Sequence, residues 1–293
     1  MRKINIGAGL TWDMDGWESL DNVPGDYSSP LKHYGKAWET GLPSNCYDIA
    51  FSSHMLEHIP HFRVEKTISE FNRIMKIGGT IRILVPDLKK AAIAYLNNDE
   101  EFYKKSAHYS NHIGIGGCFM SVVNSPGSQT LAVSREMDEI IGGYAHLYSY
   151  DFDMLRIILE KWGFSEVIDS NYGDSTVKEM QYCQGVIYDG EYYEATDDFV
   201  RNKEFLKGDK DWSHTGFDKL PHLSLIVEAK KVRDETYNIN KEFPHNKRAR
   251  FDSKLDRIKL FLIKYCVRLV DVTFAIAKYI HLDKLYKLLQ FNK

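Results

Sequence analysis

Cysteine is scarce and scattered in this chain. The 293 residues hold four, Cys46, Cys118, Cys183 and Cys266, and they form neither a C-x-x-C pair nor a metal cluster with nearby histidines. That excludes a disulfide framework and a structural zinc knuckle, and it points to a reducing, cytoplasmic compartment. Long apolar runs are missing too: none reaches the roughly eighteen uncharged residues of a membrane-spanning helix. Met1-Arg2-Lys3 is positively charged, but a glycine turn arrives before any apolar segment, so no signal peptide is expected. Repeats and low-complexity tracts are absent. A basic body is absent as well. From His245 to Lys293 twelve Lys and Arg stand against four acids, a net +8, which leaves the remainder of a −3 chain at −11. Phosphate backbones demand a basic groove, so nucleic acid is excluded as the main substrate.

What is present is a soluble globular composition, 43% hydrophobic, in a chain long enough for one large core plus an appendage. Its organising stretch is the first nine residues. Lys3-Ile4-Asn5-Ile6 reads as a buried strand and runs directly into Gly7-Ala8-Gly9. Glycine lacks Cβ, so such a turn can take positive φ and let a ligand lie against backbone amides. Taken by itself the turn could equally be structural. Gly16-Trp17-Glu18-Ser19-Leu20-Asp21-Asn22 then closes on an acid about a dozen positions later, where dinucleotide-type α/β folds place a carboxylate for ribose hydroxyls. The spacing is tighter than the usual roughly twenty residues. The first crossover helix is therefore stunted or replaced by a loop around Thr11-Trp12-Asp13-Met14, and Asp21 could also simply open a turn.

Tyr47 to Pro60 reads as a strand, a helical start and a proline stop. Phe71, Ile74 and Met75 keep helical spacing, Gly78-Gly79 ends that helix, and Ile81 to Asp87 is a buried strand. The succession NIGAG, GWESLD, YDIAFSSHMLEHI, FNRIMKIGGTIRILVPD and HLYSYDFDMLRIILEKWGF resembles the Rossmann-like S-adenosylmethionine-dependent methyltransferases. It looks closest to the type 11-like branch, often linked to polysaccharide modification. The resemblance spans about residues 3 to 231, with Leu223 to Lys230 similar to the closing strand. Thr11 stands where the fuller pattern has a third glycine, and Asn5 where an acid often begins the motif.

The resemblance implies an α/β fold: a mostly parallel sheet with an antiparallel final strand, flanked by helices, in a domain covering 1–233. It implies S-adenosylmethionine as cofactor, bound by Gly7, Ala8, Gly9, Asp21, Ser53 and His54. It makes Leu223 to Ala229 and Ser165 to Ile168 an antiparallel pair. The remaining elements are a helix from Lys89 to Tyr103, a substrate lid at about 104–145 roofing the pocket, and a helix stripe of Leu147, Leu155, Ile158, Leu159 and Trp162 ended by Gly163. Residues 189–220 read as a loop-rich insertion.

Methyl transfer from a sulfonium is an in-line displacement that needs orientation and excluded water. A hydroxyl acceptor must also lose a proton, so a general base helps. His146, between lid and helix, and Asp87, at a strand's carboxyl end, are the candidates, though a lone histidine can as well be structural. His54, Glu57 and His58 form H-x-x-E-H, which superficially matches a zinc-binding helix. Zinc needs both imidazoles on one face and a third ligand, whereas the resemblance makes Leu56-Glu57-His58 a helix start. No metal is expected. Glu39 could meet an adenine edge, or only solvent.

Residues 234–293 are expected to be a linker and a basic amphipathic helical tail. Arg257, Lys264, Arg268, Asp271 and Lys278 fall in one narrow helical stripe amid Leu, Ile, Val, Phe, Tyr and Ala. Three uses remain open: an interfacial membrane helix at the inner face of the membrane, a homodimer contact, or docking onto the body. A membrane station suits an acceptor such as a sugar hydroxyl of a surface polysaccharide or its precursor. A small-metabolite acceptor and a non-catalytic scaffold are the rival readings.

Overall fold

The computed structural model describes residues 1–238 except 24, 105–113, 125–145, 182–184, 195–196, 219 and 221. Most of the expected lid, Cys183, Cys266 and the whole amphipathic tail lie outside the described residues. The chain divides into two units, Met1–Asn238 and Ile239–Lys293, and all the described residues belong to the first.

Seven strands form the main sheet in the order β3-β2-β1-β4-β5-β10-β6. They are β1 Lys3–Ile6, β2 Glu18–Asp21, β3 Lys32–Tyr34, β4 Tyr47–Ser53, β5 Met75–Pro86, β6 Phe164–Ser170 and β10 Ser224–Lys231. All neighbours are parallel except β10, which lies antiparallel between β5 and β6. This is the Rossmann-like methyltransferase sheet that the motif order implied. Its two faces follow from the period of two along each strand. Ile81, Ile83 and Val85 of β5, with Leu225, Val227 and Ala229 of β10, join one apolar cluster. Leu84 and Ile226 join the other.

The first face is covered by α1 (His61–Ile74) and by the later helix Phe152–Lys161, here α5. Val64, Ile68 and Phe71 of α1, and Leu155 and Leu159 of α5, are fully buried, each contributing about 1.5–3 kcal/mol by area removed from water. The second face is closed by side chains instead: Trp12, Trp17, Met180 and Phe217 pack on Ile49, Phe51, Leu84 and Ile226. Between β1 and β2 there is no helix, as the short spacing required. Thr11 to Asp13 are tied to a distant segment, with His214 donating to the Thr11 carbonyl at 2.6 Å and Asp13 to the His214 carbonyl at 2.8 Å.

Several expectations on element bounds are corrected. Helix α1 ends at Ile74, before Gly78-Gly79, because Met75 is already extended and begins β5; Gly78 takes φ +83 inside that strand. The stretch from Lys89 to Tyr103 is two helices, α2 Leu88–Leu96 and α3 Glu100–Lys104, broken where Asn98 takes φ +54. With α4, Gly114–Val123, they enclose a small core of Ala91, Ala94, Tyr103, Cys118 and Val122. Leu147 lies outside the helix, and α5 starts only at Phe152, where the Asp151 side chain accepts from Met154 N. Residues 189–220 are more ordered than loop-rich. β7 Gly185–Tyr188, β8 Glu191–Glu194 and β9 Trp212–Thr215 make a second, antiparallel sheet, with the short helix α6, Asp198–Arg201, beside them. Tyr193 stacks on Phe199 at 4.3 Å and Phe205 meets Trp212 at 4.8 Å, so the aromatics that looked like insertion filler are a core. Among the described residues no helix is long and apolar enough to cross a membrane.

Candidate active site

The strand order reverses direction between β1 and β4, and the crevice outside their carboxyl ends is where open α/β sheets bind ligands. The glycine turn sits there. Gly7 N and Ala8 N donate to the Leu20 carbonyl at 2.8 and 3.4 Å, which clamps the turn to β2. Gly7 (φ +79) could carry no side chain, since a Cβ would lie 2.3 Å from Met55 Cγ. Gly9 (φ +71) has nothing within 4 Å of its missing Cβ. Its glycine is therefore required by backbone conformation, and it faces open space. Asp21 braces the turn at the end of β2. Its Oδ2 accepts from Gly9 N at 2.7 Å, and its Oδ1 accepts from Asn22 N and Val23 N at 2.7 and 2.9 Å.

Three buried polar atoms on these strands, Asn5 Oδ1, Ser52 Oγ and Ser53 Oγ, have no hydrogen-bond partner among the described residues. Buried polar groups are nearly always paired, and exceptions call for an explanation. All three lie on β1 and β4, the two strands that flank the switch point. Ser52 escaped the sequence reading, and its only signal is a hydroxyl pair closing an otherwise apolar strand. Ala8 lies in the turn and packs on the aromatic cluster of the second face.

After Ser53 the chain turns sharply. His54 takes φ +49, and its Nε2 lies 2.9 Å from Ser224 Oγ. Its Nδ1 lies 3.1 Å from Glu57 Oε1. Glu57 follows in a 3-10 turn, Leu56–His58, and is fully buried. The Glu57 carbonyl accepts from Leu147 N at 2.6 Å and Tyr148 N at 3.3 Å. That pair of backbone bonds places His146 beside the turn, with its ring 5.1 Å from that of His58. His146 is itself buried, and its Nδ1 stands 2.7 Å from the Val122 carbonyl. A carbonyl only accepts, so the proton is on Nδ1 and the lone pair on Nε2.

Burial by itself pushes the Glu57 carboxyl up, but His54, His58 and His146 more than offset it and hold the group down to about 2. The nearby Tyr150 phenol is pushed up, by burial first and by Glu57 second. The structure thus brings His54 and His146, predicted from separate motifs, to one cluster with Glu57 and His58.

Asp87 is not part of that cluster. Its Oδ1 accepts from Lys89 N and Lys90 N at 2.8 and 3.0 Å, which makes it the N-cap of α2. Its own backbone is pinned by bonding to Leu223 and by bridging to Tyr150. Glu39 is exposed and pairs with Lys66 at 3.6 Å. A separate cleft lined by Met1, Asp48, Gly79 and Thr176 opens at the amino end of the same strands and holds none of these residues.

A family profile described as a methyltransferase domain matches residues 26–83. No curated protein matches the chain significantly. Among solved structures, a SAM-dependent methyltransferase from Thermotoga maritima, described as a possible histamine N-methyltransferase, is 13% identical with a TM-score of 0.35, over 78% of this chain and 82% of that one. A SAM-dependent methyltransferase from Archaeoglobus fulgidus is 15% identical with a TM-score of 0.39, over 78% and 86%. Phosphoethanolamine N-methyltransferase 2 from Haemonchus contortus, in complex with S-adenosyl-L-methionine, is 12% identical with a TM-score of 0.36, over 80% of this chain and 49% of that one.

Proposed function

We propose that this chain is an S-adenosylmethionine-dependent methyltransferase acting on an oxygen acceptor, a sugar hydroxyl of a surface polysaccharide or its precursor. The observation that carries the reading is the turn at the switch point. Gly9 faces open space with φ +71 and is bonded to Asp21, and the adjoining strands carry three buried polar atoms with no hydrogen-bond partner among the described residues. These residues fit the cofactor. The bare backbone of Gly9 would let an adenosyl group approach closely. Asp21 Oδ2 spends one lone pair on Gly9 N, which leaves one for a ribose hydroxyl. Asn5, Ser53 and His54 supply further polar contacts.

When bound, the cofactor supplies an electrophilic methyl group on a sulfonium. The protein's part is to align the acceptor, keep water out and take up a proton. His146 serves that proton through its Nε2 lone pair, held in place by the Val122 carbonyl. Asp87, whose Oδ1 is taken by two backbone amides, shapes the mouth of the site by starting α2. The acceptor is a small molecule or glycan rather than a nucleic acid, given a body at −11. The +8 tail suits peripheral contact with anionic lipid at the cytoplasmic face of a membrane, or a homodimer.

Calorimetry of the full chain with S-adenosylmethionine and its demethylated product is the test. Binding of both, lost in Gly9→Val, is the expected result. A folded sample that binds neither is instead a scaffold on a methyltransferase fold, a reading favoured by the missing helix after the glycine turn. Flotation with anionic liposomes, compared with a chain ending near Glu242, tests the tail: only the longer chain should float.

A further inference from the structure

The sequence showed two imidazoles and a carboxylate in H-x-x-E-H and lacked a third ligand from elsewhere. The fold brings one. Donor atoms of Glu57, His58 and His146 all lie within 4.8 Å of one another. Ligands on one tetrahedral ion at about 2.1 Å stand about 3.4 Å apart, so side-chain shifts of roughly an ångström would bring the three donors onto one ion.

Three further observations point the same way. Glu57 is fully buried, yet among the described residues neither of its carboxylate oxygens has a hydrogen bond of good geometry. His54 Nδ1 at 3.1 Å and His58 Nε2 at 3.9 Å from Oε1 are at ion-pair distance only. A buried carboxylate without hydrogen bonds is costly unless a cation is beside it. A divalent ion beside the carboxylate would supply such a charge. The second observation is the Nδ1–H of His146, donated to the Val122 carbonyl at 2.7 Å. Donation from one ring nitrogen to a carbonyl is how metal-bound histidines are oriented, with the other nitrogen turned to the ion. The third is location. Met55, two residues before Glu57, packs against the bare face of Gly7, so the cluster borders the proposed cofactor crevice.

We propose that Glu57, His58 and His146 bind one divalent transition-metal ion whose open coordination positions take an oxygen of the acceptor. One carboxylate and two imidazoles suit zinc, manganese, iron or cobalt rather than calcium, and three protein ligands leave positions for water or substrate. His54, hydrogen-bonded to Ser224, is a positioning residue for the Glu57 oxygen. The ion site stands on its own geometry. Only the acceptor's place on it rests on the methyltransferase reading; with an ion held there the His146 Nε2 lone pair would be spent on the metal, and in place of a histidine base the ion would make a coordinated acceptor hydroxyl acidic enough to give its proton to solvent as it attacks the methyl group.

The experiment titrates Co²⁺ into chelator-treated, full-length protein, followed by calorimetry and by visible d–d absorption, in wild type, Glu57→Gln, His58→Ala and His146→Ala. Circular dichroism confirms folding. His58, the partly exposed member of the three, guards against a buried variant that fails to fold. One Co²⁺ per chain is expected, with affinity lowered at least about tenfold in each folded variant. No uptake by the folded wild type, or uptake unchanged in His58→Ala and His146→Ala, overturns the site. S-adenosylmethionine is titrated into the same metal-free sample. Cofactor binding without Co²⁺ uptake removes the ion and keeps the methyltransferase, while Co²⁺ uptake without cofactor binding keeps the ion and removes its acceptor.

Discussion

Arg82 and Glu57 are both fully buried ionisable groups on or beside the central strands, and they are furnished in opposite ways. Arg82, on β5, donates through Nε and Nη2 to the two Asp218 oxygens at 2.8 and 2.6 Å. It reaches Ser170 Oγ, the Asp174 and Asn171 carbonyls and Glu228 as well. Glu228 in turn accepts from Ser175 Oγ and from Thr176 N and Oγ1. Every charge in that cluster is answered by protein atoms. Glu57, by contrast, has histidines around it but, among the described residues, no hydrogen bond of good geometry to either oxygen. A charge that the protein satisfies holds the fold; one that it leaves open is available to a ligand.

The largest test of that contrast is Arg82→Met. It strands Asp218 and Glu228 in the interior, and removing one partner of a buried pair typically costs about 3–5 kcal/mol. Urea unfolding should show a drop of that order, and a change under about 1 kcal/mol would mean the cluster is not structural. Lys231→Met comes next. Lys231 is equally buried, but its Nζ donates to Asn45 Oδ1 and to the Asn72 and Met75 carbonyls, all neutral, and its one acid, Asp234, is 61% exposed. No charge is stranded in the core. The loss should be about 1–3 kcal/mol, from carbonyls left without a donor, and a cost as large as that of Arg82→Met would erase the distinction between charged and neutral partners.

The contrast also marks how far the sequence could be read. The sheet was legible because its signals are local: strands with Ile and Val at a period of two, glycines at their ends, and motifs in a fixed order. The missing first crossover helix was legible from the short spacing of Gly9 and Asp21. The second sheet was not, because Tyr188, Tyr193, Phe199, Phe205 and Trp212 look like a polar, aromatic loop until they pack on one another. The satisfied Arg82 cluster was invisible for a similar reason, since Arg82 and Asp218 are 136 positions apart. At the site, Gly7, Gly9 and Asp21 followed from pattern. The meeting of His146 with Glu57 and His58 did not, because it depends on two backbone bonds to the Glu57 carbonyl that no spacing announces.

Glu57→Gln should be mild where Arg82→Met is severe. The amide keeps the volume and takes a charge without hydrogen bonds out of the interior, so metal-free protein should lose about 1 kcal/mol or less. Its main effect should fall on ligand binding. Unfolding measured with and without Co²⁺ separates the two: an ion bound only to the native state raises wild-type stability and should leave Glu57→Gln unchanged. A metal-free loss as large as that of Arg82→Met would place Glu57 among the structural charges and end the contrast.

Glu18 lies between these extremes, and pH reads it. Its oxygens accept from Arg2 Nε at 2.8 Å, from Tyr47 at 2.7 Å and from His33 at 2.7 Å, but the Arg2 side chain is 47% exposed. Burial raises the Glu18 carboxyl, and the hydrogen bonds from Arg2, Tyr47 and His33 outweigh it, so the group titrates below its ordinary 4.5. A carboxyl lowered in the folded state contributes stability that is complete above its unfolded value and is lost as pH falls toward the folded one. The gap between wild type and Glu18→Gln should therefore be full at pH 7 and close below about 4.5. Solvent and salt screen the Arg2 side of the pair, which keeps that gap under about 1 kcal/mol. A gap that stayed constant from neutral to acid pH would show that Glu18 matters through its packing rather than its charge.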